Sequence, residues 1–416
     1  MSLPTITITT QLAREPLPVT DKAQLVYLLV EVRANPSLTD LPRLPLNLAL
    51  VLDRSGSMSG PRLQYMKTAT QAVIDLLTPD DVLSIITFDD TIEIVADAEP
   101  VGNRAALKAA VELIEEGGGT AMALGMSLGL AELRRHLGPH SLSRMIVLTD
   151  GPTNGDEAQC RLLAAEAGAE GIAIAPLGFG AEWDETLLED LATASGGDPP
   201  EYVRAPQDVI DCFTQQVQMA RGVVIPGLSL DMHFVAGVTP RRVTRVAPFL
   251  RAIEASITDR QIAVNLGDLA VDIPQALLVE VVIEPKRGGN FRIAQIEANS
   301  SATPDATMLR SDVVVTFSTS ATHLPQMHPV VLHYVERVNA ARIVWRALAA
   351  PSNDPITLAP NTLALYDFEG REQLERLCAG RPLTPEGRKI LQVKTHALTR
   401  VRRANPPSSS TTGELR

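Results

Sequence analysis

At 416 residues the chain is too long for one ordinary domain, and 45% apolar with 21% charged residues is the balance of a globular protein with two or three cores. A net charge of −12 argues against nonspecific nucleic-acid binding by the whole protein, which needs a positive field. Three scattered cysteines (Cys160, Cys212, Cys378) without a C-x-x-C pair indicate neither a zinc site nor a disulfide framework, and no apolar run approaches the ~20 residues of a membrane span.

In chain order, residues 1–45 carry β-type runs, "TITITT" and "QLVYLLVEV", and no charged segment leading into an apolar signal stretch. A cytoplasmic protein with reduced thiols is therefore expected. Residues 46–222 alternate strand-like and helix-like segments. "LNLALVL" is a continuous apolar run, as a strand buried on both faces of a parallel sheet requires. Leu63, Met66, Val73, Ile74 and Leu77 follow at helical spacing, with Pro61 suited to a first turn. "VLSIITF" and "TIEIVAD" are too close for a crossover helix and read as a hairpin, so one strand runs antiparallel. Helical "NRAALKAAVELIEE" and "AMALGMSLGLAELRRHL", strand "RMIVLT", helix "DEAQCRLLAAEAGAEG", strand "IAIAPLGFG" and two more helices complete an α/β unit. The alternation implies a doubly wound, mostly parallel Rossmann-like sheet with right-handed crossovers.

Residues 223–325 return to Val- and Ile-rich strands, and pairing of the N-terminal strands with these would make a β-sandwich with the α/β domain inserted. Residues 326–403 read as a helical region and 404–416 as a disordered polar tail.

The chemistry sits in three loops. In "LNLALVLDRSGSMSG" a buried strand ends in Asp53, Ser55 and Ser57, oxygen-bearing side chains at alternate positions. Loops outside the carboxyl ends of parallel strands carry function in open α/β sheets. A hard divalent cation wants such oxygen ligands, whereas the alternative makes Ser57 or Ser59 a helix N-cap and Asp53 a complement to the helix dipole. "EEGGGTAM" adds Thr120 after three glycines, and "RMIVLTDG" ends a second buried strand in Asp150. Three loops on one sheet edge each deliver a small oxygen ligand, which favours the metal.

The set "DRSGS", "GGGT" and "LTDG", in this order and at these separations, resembles the von Willebrand factor A domain over about residues 46–222. The resemblance implies that family's metal-ion-dependent adhesion site on Asp53, Ser55, Ser57, Thr120 and Asp150, holding Mg²⁺ or Mn²⁺. It also implies a partner protein that supplies an Asp or Glu to the metal, in a protein–protein interaction without catalysis. A narrower implication is an adaptor for a MoxR-type AAA+ ATPase. A Mg²⁺-dependent phosphohydrolase is the competing enzymatic reading. Against it, a dehalogenase-type site wants a second Asp where Ser55 stands, and no P-loop G-x-x-x-x-G-K-[ST] is present. The looser whole-chain layout resembles bacterial A-domain proteins and inter-alpha-trypsin inhibitor heavy chains.

Other features read as structural. His323, His328 and His333 are spaced by five, which does not share a helical face. Residues 78–99 and 182–201 each hold seven acids and no Lys or Arg, most simply a solvated rim, more sharply a negative collar. Residues 381–403 hold seven basic residues against Glu386, a solvated face or a surface that docks an acidic one.

Overall fold

The computed structural model describes residues 6–35, 43–138, 141–253, 256–258, 260–300, 309–319, 326–349, 355–359 and 361–399; the predicted tail, His323 and the last basic residues of the C-terminal cluster lie outside these. The N-terminal segment forms β1 (Ile6–Leu12), β2 (Arg14–Glu15), β3 (Leu17–Pro18) and β4 (Gln24–Ala34). The α/β unit follows as β5 (Leu46–Asp53), α1 (Pro61–Leu76), β6 (Val82–Phe88), β7 (Ile92–Pro100), α2 (Arg104–Glu112), α3 (Met122–Arg134) and β8 (Leu142–Thr149). It closes with α4 (Glu157–Ala169), β9 (Ala173–Phe179), α5 (Glu185–Ala194), β10 (Glu201–Val203) and α6 (Asp208–Arg221).

These strands form one sheet in the order β10-β9-β8-β5-β6-β7, parallel throughout except β7, which pairs antiparallel with β6. Every residue of β5 is buried because the strand is central and covered on both faces. Alternate side chains serve two cores. Leu48, Leu50 and Leu52 pack with Met66 of α1 and Phe213 of α6, while Ala49 and Val51 pack with Met126 of α3 and Leu163 of α4. Gly125 and Gly129 let α3 approach closely: a Cβ on Gly129 would lie 2.7 Å from Val51, and one on Gly125 2.9 Å from Phe88. That contact offsets the roughly 1 kcal/mol a helical glycine costs against alanine.

The second strand-rich segment runs β11 (Val223–Phe234), β12 (Val238–Ala247), β13 (Arg251–Ile253), β14 (Ser256–Thr258), β15 (Gln261–Ala270), β16 (Gln275–Ile283), β17 (Gly289–Ser300), β18 (Leu309–Ser318) and β19 (Gln326–Met327). One sheet is ordered β1-β4-β16-β12-β13 and the other β14-β15-β11-β17-β18-β3, so N-terminal strands enter both. β4 lies antiparallel to β16 from Gln24 opposite Ile283 to Val32 opposite Gln275. Leu28 and Val30 of the first sheet share one apolar core with Leu230, Met232 and Ile296 of the second. The outer face of the first sheet is covered as well. Leu29 and Leu278 pack under Val331, Val338 and Ala341 of α7 (Pro329–Ala349), which explains why "LLVEVVI" is apolar on both sides. Its one acid, Glu280, is buried and paired with Arg342 of α7.

Two further helices, α8 (Phe368–Cys378) and α9 (Pro385–His396), are each started by a side-chain cap: Asp367 accepts from the Gly370 amide, Thr384 from the Gly387 amide. The described part of the basic C-terminal segment is not a solvated face. Arg388 and Lys389 of α9 pair with Glu185 at 3.1 and 3.3 Å, and Lys389 also donates to the Ala181 carbonyl at 2.8 Å and lies over Trp183. Three acids of the 182–201 segment are paired within the chain: Glu185 with α9, Glu189 with Arg251 at 2.9 Å and Asp190 with Arg161 at 2.7 Å. Lys389 is only 3% exposed, so Lys389→Ala leaves a buried carbonyl unpaired and Glu185 with one partner fewer. A loss of about 2–3 kcal/mol is expected, read as a lower denaturation midpoint with faster amide exchange in α9 than in β5.

Candidate metal site

Asp53 closes β5 at the carboxyl edge of the sheet, and the chain then turns through a short 3₁₀ segment, Gly56–Met58, before α1. The helix-cap alternative fails here. Gly60 is the N-cap of α1, and no side chain caps that helix or the 3₁₀ turn. The hydroxyls are instead turned toward carboxylates. Asp53 accepts from the Ser55 amide at 2.8 Å, the Ser55 and Ser57 hydroxyls are 3.1 Å apart, and Ser57 donates to Asp150 Oδ1 at 2.6 Å. Asp53, Ser55 and Asp150 are buried and Ser57 is exposed, so the chain of oxygens runs from the sheet edge to solvent.

The glycine loop is tied to the first by backbone bonds, and the Asp150 loop is tied by a backbone bond to the glycine loop. The Gly56 amide donates to the Gly118 carbonyl at 2.9 Å and the Gly117 amide to the Arg54 carbonyl at 2.8 Å. Thr120 is held through its carbonyl, which accepts from the Asn154 amide at 2.9 Å and the Thr153 hydroxyl at 3.0 Å. Among the described residues the Thr120 hydroxyl makes no hydrogen bond to the other four side chains. Asp53, Ser55, Ser57 and Asp150 therefore form a connected set, and Thr120 joins it through the main chain.

The three glycines have a steric cause. A Cβ on Gly117 would lie 1.6 Å from Asp89 Oδ2, and Cβ atoms on Gly118 and Gly119 would each lie 2.2 Å from an Asp90 oxygen. The Asp89–Asp90 turn of the β6–β7 hairpin packs against this loop, most tightly at Gly117, where Asp89 is buried and tethered, while exposed Asp90 at Gly118 and Gly119 can turn aside. Part of the acidic 78–99 segment is thereby structural rather than a solvated rim. Burial raises the Asp89 carboxyl, but hydrogen bonds from Thr91 and the nearby Arg54 outweigh it and hold it below the ordinary carboxylate range. Arg54 also pairs with Glu93 at 2.7 Å, and buried Asp81 with Arg221 at 3.0 Å.

Burial pushes the Asp53 carboxyl up to about 6, against the hydrogen bonds it receives from Ser55 and Thr149, and the charge of Asp150 adds to the rise. No cluster of three His, Cys, Asp or Glu side chains suited to a metal occurs among the described residues. An ion here would rest on two carboxylates and hydroxyls, hard oxygen donors that suit Mg²⁺ or Mn²⁺ and not a soft metal. The set fits a dication chemically: it offers two hard carboxylate donors beside hydroxyls, and its buried acid is costly to ionise without a cation. The cysteines supply no competing chemistry, since burial raises the Cys160 thiol and pushes that of Cys212 up to about 12.

Two residues of this neighbourhood escape a sequence reading of the loops. Thr149 donates to Asp53 Oδ2 at 2.7 Å, fixing the carboxylate from the adjacent strand. Arg62 donates through Nη1 to Asp150 Oδ2 and, at 3.3 Å, to the Ser57 carbonyl. A signal for Arg62 was available, because a cation in a helix's first turn opposes the macrodipole and asks for a local anion.

The sequence pattern of the von Willebrand factor type A domain matches residues 47–215. The chain contains a von Willebrand factor type A domain. Over the whole chain, the A domain and its flanking segments share a fold with a von Willebrand factor type A protein from Catenulispora acidiphila (TM-score 0.71, 17% identity, covering 97% of this chain and 98% of that one). VWA2 of Sulfolobus acidocaldarius, the ArnB paralog, is similar in fold (TM-score 0.54, 14% identity, 95% and 97% covered). In sequence, the uncharacterized protein sll0103 of Synechocystis sp. is 33% identical over 263 residues, which span 61% of this chain and 61% of that protein. Human inter-alpha-trypsin inhibitor heavy chain H4 is 30% identical over 171 residues, only 18% of its length. The A domain is thus shared with much longer proteins. No helix among the described residues is long and apolar enough to cross a membrane.

A cleft of about 1560 Å³ lies away from the loops of Asp53, Thr120 and Asp150, between α6, Arg245 and Phe249 of the strand-rich part, and Val393 and His396 of α9.

Proposed function

We propose that the A domain binds a protein partner through a divalent cation held by Asp53, Ser55, Ser57, Thr120 and Asp150, without catalysis. The observation that supports this is the connected set Asp53–Ser55–Ser57–Asp150, joined by the Ser55 amide to Asp53 and by the two serine hydroxyls to Asp150. Domains of this type as a class mediate metal-dependent protein interactions. When bound, the cation supplies an open coordination position for an anionic oxygen from outside the chain. The residues present do the positioning: Thr149 and the Ser55 amide orient Asp53, and Asp150 is shared between Ser57 and Arg62. Exposed Ser57 marks the side from which a partner's Asp or Glu arrives.

In this reading residues 46–222 are an insertion in a β-sandwich built from residues 1–45 and 223–325. Residues 326–403 are read as a helical region. Mg²⁺ is the expected ion, with Mn²⁺ able to replace it. The Mn²⁺-loaded chain is expected to bind a fluorescein-labelled Asp-containing peptide, to release it in EDTA, and to hydrolyse no p-nitrophenyl phosphate. Phosphate release that disappears in Asp53→Ala would make the site an enzyme and overturn the reading.

A further inference from the structure

Arg62 sits at the rim of the oxygen set, about a third exposed, and among the described residues it reaches acceptors through Nη1 alone. Nη1 takes both Asp150 Oδ2 and the Ser57 carbonyl. Among the described residues neither Nε nor Nη2 has an acceptor. Those two nitrogens form the side edge of the guanidinium, whose parallel N–H groups match a carboxylate in bidentate fashion. The side chain is braced rather than waving. Its guanidinium carbon lies 5.4 Å from the centre of the Phe179 ring, and Nη2 is 3.3 Å from where a Cβ on Gly180 would stand. Gly180, at a φ of 69°, supplies the space.

We infer that Arg62 is a specificity-determining residue that makes the site read two neighbouring acidic side chains on the partner, one at the cation and one on the free Nε/Nη2 edge of Arg62. The inference rests on the metal-dependent reading above. Asp150 stands between Ser57 and Arg62, with one oxygen toward each, so the free edge of Arg62 adjoins the oxygen set on the Asp150 side. Acids at i and i+2 of an extended segment share one face, roughly 6–7 Å apart, and so present two carboxylates to the same surface.

The charge balance sharpens the consequence. Asp53 and Asp150 carry two negative charges, and Arg62 cancels one. Arg62 therefore weakens the chain's hold on a bare dication and strengthens its hold on anions, two effects of opposite sign. A residue that merely propped up Asp150 would move both affinities downward on removal.

The test uses the full chain, with wild type, Arg62→Ala and Arg62→Lys. Mn²⁺ alone is titrated by calorimetry, then Gly-rich peptides with a single Asp or with Asp at i and i+2 are titrated by fluorescence anisotropy in saturating Mn²⁺. Wild type is expected to prefer the diacidic peptide about tenfold. Arg62→Ala should lose that preference while binding Mn²⁺ several-fold tighter, and Arg62→Lys should keep wild-type Mn²⁺ affinity but retain only part of the preference. Weaker Mn²⁺ binding by Arg62→Ala, or an undiminished diacidic preference, would overturn the inference and leave the metal site standing. Absence of Mn²⁺ binding in wild type would overturn the metal reading and this inference together.

Discussion

Asp53→Asn is expected to melt several degrees above wild type in EDTA at pH 8, and below wild type once Mg²⁺ is saturating. The folded-state carboxyl is raised from 3.8 to about 6, so the folded chain holds this proton more tightly than the unfolded one. Its contribution to stability is fully present below pH 4 and is lost as pH rises through 6. At roughly 1.4 kcal/mol per pH unit, the ionised carboxylate costs on the order of 3 kcal/mol at pH 8. Asparagine removes that charge and can keep hydrogen bonds to the Ser55 amide and the Thr149 hydroxyl. A bound dication reverses the order, because it stabilises only the chain that can hold it. The check is a pair of melting curves at pH 5 and pH 8, with and without Mg²⁺. Curves for wild type and variant that stay parallel across both pH values would show that Asp53 is not held at this cost.

Gly117→Ala should unseat the metal loops while the sheet stays folded. The added Cβ would sit 1.6 Å from Asp89 Oδ2 and 2.5 Å from its Cγ. Asp89 cannot simply swing aside, since it accepts from the Thr91 amide and hydroxyl at 2.6 and 2.7 Å and lies 3.5 Å from Arg54. Displacing it breaks bonds worth about 1 kcal/mol each and up to roughly 3 for the charged ones. It also shifts the loop that carries Thr120. A stability loss of about 2–4 kcal/mol and at least a tenfold loss of Mg²⁺ affinity are expected. Asp89→Gly in the same chain should recover much of the metal affinity, a non-additivity that a double-mutant cycle measures. Unchanged affinity in the single variant would mean that the loop position does not matter to the site.

The α/β unit was legible because its central parallel strands β5, β8 and β9 are buried on both faces, and a run such as "LNLALVL" has few other readings. The ends of those strands were legible for the same reason: polar side chains at Asp53 and Asp150 stand out immediately after apolar runs. β10 escaped, since three residues, Glu201–Val203, carry no period. The sequence left a helix cap as the rival explanation of Ser57 and Ser59, and the observed N-cap, Gly60, removes it. What remained hidden depends on pairs distant along the chain. Nothing in "GGGT" says that Asp89 and Asp90 press on it, and nothing in the basic C-terminal helix says that Glu185 waits beneath it. Thr149 was hidden in the same way, as the last residue of a strand, whereas Arg62 left a signal in its place in a helix's first turn but not the identity of its anion, Asp150.

The most direct test of the metal-dependent reading is calorimetric titration of Mg²⁺ and Mn²⁺ into EDTA-stripped wild type and Asp53→Ala. Saturable binding to one site in wild type, absent from a folded Asp53→Ala, is the predicted result. Equal binding by both proteins would contradict it, placing the ion elsewhere and leaving the oxygens of Asp53, Ser55, Ser57 and Asp150 as a hydrogen-bonded turn and nothing more.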